Sequence, residues 1–292
     1  MSEDSRPLCD YQDYDYRGRF WTGRDYEDAV ERIGLSRLLP PRGGRLVEIG
    51  AAYGRLAQLY AGYDRVVLLD PAESQLREAR DRLGDDARYL FVVGDVYRLP
   101  LSTSCFDVAL TVRVLHHLSD LPGAFREIHR ILRPQGCYVL EYANKRNLKE
   151  ILRYIVGRSR RDPFSPQPVE YARLHFNFHP SYVEDGLREA SFSLERGLAV
   201  SSLRLPLLRR LLPSSWRIRL DGFLQSPTAR LKLAPSMFLA ARAEKEGVAR
   251  EGLFRCPQCG SEELEETAVS VDCTGCGRSW PVENGIYKFG SL

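Results

Sequence analysis

No apolar run in the chain approaches the ~18 residues that would cross a bilayer. The first twenty residues, MSEDSRPLCDYQDYDYRGRF, lack the apolar centre of an export signal, so the protein is expected to be cytoplasmic. Charge of one sign is not in excess. The 42 Lys and Arg stand against 39 Asp and Glu, and a formal net of +3 does not by itself drive binding to nucleic acid. There are seven cysteines, and an odd count without an export signal argues against a disulfide framework. Internal repeats are absent too. What is present is ordinary globular material, 43% hydrophobic over 292 residues, enough for one large domain and one small one.

Between residues 45 and 143, apolar runs alternate with helical patterns. RLVEI (45–49), RVVLLD (65–70), YLFVV (89–93), FDVALTV (106–112) and CYVLEYA (137–143) are nearly continuously apolar, as strands covered on both faces are. Helical periodicity fills the gaps, notably at 72–83 and 120–133. The alternation predicts an α/β, doubly wound sheet with right-handed crossovers. After residue 143, RDPFSPQPVE is too Pro-rich for regular helix, and PSYVEDGLREASF reads as a helix with Pro180 in its first turn. Strands near 193–200 and 236–243 would bring the sheet to seven, with an insertion between the last two. The expected units are a cap segment (1–29), the main domain (30–243, with lid or substrate insertions at 144–180 and 201–232), a linker (244–252) and a small domain (253–292).

The stretch RLVEIGAAYGRLAQLY (45–60) reads as the strand–turn–helix of a nucleotide site, but it lacks a dinucleotide fingerprint. Aligned on Gly50, the G-x-G-x-x-G frame puts Ala52 and Arg55 where the second and third glycines belong. A different frame, acid-x-Gly-x-small-x-Gly, is met by Glu48, Gly50, Ala52 and Gly54. On these residues the chain resembles the class I S-adenosylmethionine (SAM)-dependent methyltransferases, especially the small ones with this glycine-rich first motif. The resemblance implies a Rossmann-like fold, SAM as cofactor and methyl transfer. It covers about residues 30–200, with the last strand near 240.

That cofactor has no pyrophosphate, so the turn Gly50–Ala51–Ala52–Tyr53–Gly54 need only let methionine and ribose pass close to the backbone. Asp70, ending the second strand before Pro71, is placed for a carboxylate that accepts both ribose hydroxyls. Asp95, in VVGDVYRLPL, corresponds in the family to the acceptor from the adenine amino group, beside the backbone N–H of Val96. Arg113, in FDVALTVRVLHHLSD, would lie at the methionine end. GAFREIHRILRPQGCYVLEYA matches the family's helix–turn–strand, with Arg-Pro-Gln-Gly as the turn. An Asp at one strand end is often only a helix cap. Several such features in order, at successive carboxyl ends, mark the ligand crevice of an open α/β sheet.

Methyl transfer is an in-line displacement that draws on orientation and desolvation, and it needs a base only if the acceptor must lose a proton. His116 and His117, after the fourth strand, are the candidates for that role, against the plainer one of packing at the rim. His175 and His179 are more distant candidates. Residues 11–26, YQDYDYRGRFWTGRDY, either fold over the cofactor, with Arg24 or Tyr14 near its carboxylate, or pack as a surface helix.

Cys9, Cys105 and Cys137 stand alone and read as small hydrophobes. The other four, Cys256, Cys259, Cys273 and Cys276, form C-x2-C-x13-C-x2-C, in which two thiolate knuckles make a tetrahedral zinc site. A tail of about forty residues builds little core, so metal would supply its stability. With RSWPVENGIYKFG it resembles the small zinc-ribbon family whose stand-alone members activate RNA- and protein-modifying methyltransferases. Fused here, such a ribbon would cover a sheet edge, hold a substrate or stabilise the domain. Its acidic hairpin, GSEELEETAVSVD, opposes phosphate binding.

Basic residues collect at 145–161 (KRNLKEILRYIVGRSRR) and 204–219 (RLPLLRRLLPSSWRIR). As a lid, these segments would pack Leu148, Ile151 and Ile155 on Leu207, Leu208 and Leu211, turning Arg153, Arg209 and Arg210 toward an anionic acceptor. The plain alternative is a solvated helix face. The mixture suits a small-molecule or lipid-linked acceptor, RNA, or peripheral contact with anionic lipid. Two rival functions stand beside methyl transfer. One is an inactive SAM-fold scaffold using the ribbon as an interaction module, favoured only by Ala52. The other is aminopropyl transfer, for which the fourth strand lacks a following Asp cluster.

Overall fold

The computed structural model describes Cys9, residues 11–204 and residues 206–290, with the side chains of Pro206, Leu207 and Arg209 outside the description. The expectations for Leu207 and Arg209 therefore lie outside the described residues. Five strands run parallel: β1 (Gly43–Ile49), β2 (Tyr63–Asp70), β3 (Tyr89–Val93), β4 (Phe106–Thr111) and β5 (Leu132–Ala143). A short hairpin of β6 (Val169–Ala172) and β7 (His175–Asn177) stands apart. Next come β8 (Phe192–Val200) and β9 (Ser236–Ala243), with β9 antiparallel to both β5 and β8.

Period-two alternation divides each central strand between two cores. Val47, Ile49, Val67, Leu69, Val92 and Ala109 pack on one face. Leu46, Val66, Leu68, Phe91, Val108 and Leu110 pack on the other. Helices cover both faces. The larger ones are α1 (Asp25–Leu38), α2 (Glu73–Leu83) and α3 (Leu121–Ile131), which Asp120 caps by accepting from Gly123 N. The connection from β5 holds α4 (Leu148–Ile155), the hairpin and α5 (Pro180–Glu189). Between β8 and β9 lie α6 (Pro206–Leu211), α7 (Ser214–Leu224) and a 3-10 turn, Ala229–Leu231.

The sheet has eleven strands rather than the expected seven, because the cysteine-rich tail joins its edge. β10 (Leu264–Glu266), β11 (Ser270–Cys273), β12 (Ser279–Glu283) and β13 (Ile286–Lys288) form an antiparallel meander. β13 then pairs parallel to β3, with Ile286 opposite Phe91 and Lys288 opposite Val93. The tail is therefore welded on rather than appended. Phe254, Val271 and Phe289 are buried in the same core as Val92 and Leu101. Ser102 N donates to Leu253 O at 2.9 Å and Phe289 N to Val93 O at 3.0 Å. Without β13, β3 would be an open edge offering unpaired backbone groups.

Two boundaries differ from expectation. α1 begins at Asp25 and runs through the limit placed at 29/30. β5 begins at Leu132 and absorbs the Arg-Pro-Gln-Gly expected as a turn, where Gln135 takes a φ of 59°. The residues set aside as a linker are also tied down: Lys245 Nζ donates to His129 O at 2.7 Å, and Arg250 N to Ser104 O at 3.0 Å.

Candidate active site

Parallel pairing brings the carboxyl ends of β1, β2 and β4 to one rim, where a cleft opens to solvent. Among the residues expected at the site, Glu48, Gly50, Ala51, Asp70, Pro71, Val96, Arg113 and His117 line this cleft; Gly54, Asp95 and His116 do not. The glycine turn makes the approach possible. Gly50 has a φ of 76°, and a Cβ there would meet Val114 Cγ2 at 2.3 Å. Gly54 also has a positive φ, 68°, and a Cβ there would press on Leu68 and Leu83. Ala52 sits at a φ of 45°, in the left-handed region that glycine occupies freely and an L residue enters at a cost of about 1–2 kcal/mol.

Asp70 holds that turn in place. One carboxylate oxygen accepts from Ala52 N at 2.8 Å and the other from Ala72 N at 2.9 Å. Burial nonetheless pushes its carboxyl up to about 6, against those two hydrogen bonds. Glu48 is more frustrated. Its side chain is buried beside the equally buried Tyr60 hydroxyl, its Oε2 has no partner at full hydrogen-bond distance, and burial outweighs the Tyr60 interaction and raises its carboxyl to about 7. A buried carboxylate oxygen without a donor at full hydrogen-bond distance, in the wall of a cleft, is an unmet requirement for a cation or a hydrogen-bond donor. Asp95 instead turns toward its own loop, where Oδ1 accepts from Tyr97 N at 2.8 Å.

Arg113 lies in a charge cluster that the sequence alone did not reveal. Its backbone is strained, with a φ of 61°, and its N–H donates to Glu141 Oε2 at 3.0 Å. Its guanidinium binds Oε1 of Glu31, a buried residue of α1, through Nε at 3.0 Å and also through Nη2. Arg55 reaches the other oxygen of Glu31 at 2.8 Å and also pairs with Asp28. The Arg55 guanidinium lies 3.9 Å from the centre of the Trp21 ring. Glu31 thus cross-links the glycine turn to the loop after β4. Asp28 and Glu31, three residues apart on a helix that buries Val30 and Leu35, were the available signal.

The N-terminal segment does fold over the cleft, through residues other than those expected. Tyr11, Tyr16 and Trp21 line it. Tyr14 is exposed, and Arg24 stacks on Phe20 at 4.0 Å. His117 Nδ1 lies 3.0 Å from the Leu174 carbonyl, which can only accept, so Nδ1 carries the proton. Nε2 is then free to accept from the Tyr11 hydroxyl at 3.0 Å. Burial holds this imidazole neutral, its pKa lowered to about 4. His116 is half-buried outside the cleft lining, and desolvation together with the neighbouring His117 and Arg113 holds its pKa well below the usual imidazole range.

At the sheet edge the four tail cysteines converge, their sulfurs all within 4.8 Å of one another. Cys256 and Cys276 Sγ are 3.8 Å apart, and Cys259 and Cys273 Sγ 3.5 Å. Four thiolates ~2.3 Å from one tetrahedral zinc would be ~3.8 Å apart, so the donor set and its spacing fit that ion.

The family profile described as "Methyltransferase domain" matches residues 47–140. The match covers 94 of the 292 residues. Two curated relatives are similar to part of the chain. A malonyl-[acyl-carrier protein] O-methyltransferase from Serratia marcescens is 29% identical over 126 residues, 42% of this chain and 48% of its own. The 27-O-demethylrifamycin SV methyltransferase of Amycolatopsis mediterranei is 34% identical over 118 residues, 38% of this chain and 43% of its own. The aligned region thus spans less than half of either relative. Among solved structures, a complex from Haloferax volcanii joins the Trm112 methyltransferase activator to a protein described as a methyltransferase. One chain of it superposes with a TM-score of 0.58 at 16% identity, covering 82% of this chain and all of its own. At that identity it shows the fold alone.

The neutral His117 makes a pH prediction. Its native pKa lies below the ordinary ~6.5, so between about pH 6.5 and 4 the unfolded chain takes up a proton that the native state refuses. Its contribution to stability is complete above that window and declines across it, by up to about 3 kcal/mol. Urea midpoints of the parent and His117→Phe should converge on acidification from pH 7 to 5, the parent losing more. Parallel curves would contradict the buried neutral imidazole.

Proposed function

We propose that this chain is a SAM-dependent methyltransferase whose cleft holds the cofactor along the β1, β2 and β4 rim, with a zinc ribbon bracing the sheet edge beside it. The observation that carries the reading is Glu48, a buried carboxyl in the cleft wall beside the glycine turn, which the Tyr60 hydroxyl approaches from within and to which the cofactor's ammonium would add a charged partner. Asp70 would take the ribose hydroxyls, exchanging its Ala52 hydrogen bond for them in part. Val96 N–H and Asp95 would hold the adenine, and Arg113 and Arg55 the carboxylate. SAM, when bound, supplies a methyl group activated by a sulfonium. The chain itself orients and dries the site: Tyr16 and Trp21 cover the cleft, and the Glu31 clamp fixes both arginines before anything binds. Tyr11 and His117 form a hydroxyl–imidazole pair lining the cleft, and the low pKa that keeps this imidazole neutral suits it to positioning rather than to taking a proton from the acceptor.

The ribbon's role follows from its attachment. β13 pairs with β3, and the loop after β3 carries Asp95 and Val96. Zinc held by Cys256, Cys259, Cys273 and Cys276 would stabilise the strand order that sets the adenine side of the cleft. The activator in the Haloferax volcanii complex offers a parallel in which the corresponding help comes from a separate protein.

Calorimetric titration with SAM tests the cleft. Asp70→Ala should weaken binding by about 1–3 kcal/mol. Glu48 is partly protonated near pH 6.5, and an ammonium beside it lowers its pKa, so binding there should release protons into the buffer. Glu48→Gln should abolish that release. Unchanged affinity in Asp70→Ala, or binding of NAD in place of SAM, would sink the assignment.

The metal is checked separately. Protein purified without chelator should contain one zinc per chain, and Cys256→Ser should lose it and bind SAM more weakly. A metal-free chain of full stability would show that the four sulfurs only pack.

A further inference from the structure

Two helices of this molecule are inside out. In α4, Leu148, Leu152, Ile155 and Val156 fall on one face at i, i+4, i+7 and i+8, and all four are exposed. No residue of α4 is buried. In α7, Trp216, Leu220 and Phe223 repeat the pattern, with Trp216 66% and Phe223 76% exposed. The polar side of α7 faces inward instead: Asp221 is buried, accepting from Tyr26 OH at 2.8 Å and Ser202 N at 2.7 Å, and Arg217 lies over the Tyr26 ring. Of the apolar residues expected to pack as a lid, Leu148, Ile155 and Leu211 face solvent, while Ile151 and Leu208 are half-buried.

The start of α4 is tied to the turn that follows α7. Leu148 N donates to Leu233 O at 2.9 Å, and Arg146 Nη1 to the carbonyl of the exposed Leu231 at 3.2 Å. Both insertions leave the sheet at the rim of the cleft, because β5 ends there and β8, antiparallel to β9 as β5 is, ends there too. Charge is sorted the same way. Residues 145–161 and 204–232 hold 14 of the 42 Lys and Arg, of which Lys145 and Arg217 are buried, but 2 of the 39 Asp and Glu, of which Asp221 is buried. The rest of the chain is left with 28 basic and 37 acidic residues.

We propose that α4, α7 and the turn after α7 dock this protein, cleft rim first, onto an anionic phospholipid bilayer. Exposed aliphatic and aromatic side chains on helices ringed by arginine match the acyl–headgroup boundary, where apolar groups insert and cations meet lipid phosphate. RNA would use the arginines but leave the row of Leu, Ile and Val without a partner, since bases stack on flat rings. Resting on the methyltransferase reading, the acceptor class that follows is a membrane-resident amphiphile presented to the cleft from the bilayer surface.

Co-sedimentation of the full chain with vesicles tests this. Vesicles of phosphatidylcholine mixed with phosphatidylglycerol should bind it at least about tenfold more strongly than phosphatidylcholine alone. Two double variants, Trp216→Ser with Phe223→Ser and Arg153→Glu with Arg158→Glu, should each lose about tenfold or more on the mixed vesicles. All four positions are exposed, so circular dichroism and SAM affinity should match the parent. Equal binding to both vesicle types, variants that bind like the parent, or displacement from mixed vesicles by RNA homopolymer would overturn the docking surface. Label from methyl-labelled SAM entering the aqueous or RNA fraction of a membrane extract, rather than the lipid fraction, would overturn the acceptor class. Vesicle binding without SAM binding would fault the methyltransferase reading and leave the docking surface standing.

Discussion

The structure depends on the parallel register of β3, β2, β1 and β4. Parallel strands put all their carboxyl ends on one rim, and the residues there have to satisfy loose backbone groups while leaving room for a ligand. Asp70 does the first, tying down Ala52 and Ala72, and Glu48 is left with an acceptor that no donor meets at full hydrogen-bond distance. The strained backbones of Ala52 and Arg113 lie at the same rim. Strain and frustration gather where the surrounding sheet is rigid enough to hold them.

That rigidity has a weak point at β3, and the tail repairs it. An edge strand next to a binding loop would leave the loop anchored on one side only. β13 supplies the missing neighbour, and Phe254 and Phe289 extend the core beneath it. The tail is too small to stand alone, which gives the four converging cysteines a structural purpose. One ion holding four sulfurs would fix the meander, the meander fixes β13, and β13 fixes β3.

The mostly parallel sheet was legible because burial on both faces leaves unbroken apolar runs such as LVEI and VVLL. The cysteine cluster was legible because ligand spacing is local. Contacts made across the fold were not. Arg55 looked like a failed glycine position, and only the folded chain shows it paired with Glu31, 24 positions away, and stacked on Trp21. The N-terminal segment was readable as a cover, but sequence could not choose between Tyr14 and Tyr11, since a bend rather than a helix sets which ring points inward. The insertions misled most. Helical periodicity is strong in 148–156, yet the pattern says only that one face is apolar. In α7, which face meets the protein was decided by the buried Asp221, whose acceptor oxygens are needed by Tyr26 and the chain after β8.

Glu48, Asp70 and the glycine turn between them are proposed to form one cofactor site. The most direct measurement is a crystal structure of the full chain grown with S-adenosylhomocysteine. The account predicts density for the nucleoside in the cleft, with its ribose hydroxyls on Asp70 and its amino group within hydrogen-bond distance of Glu48 Oε2. A cleft that stays empty at saturating ligand, or a ligand seated away from both carboxylates, would contradict it.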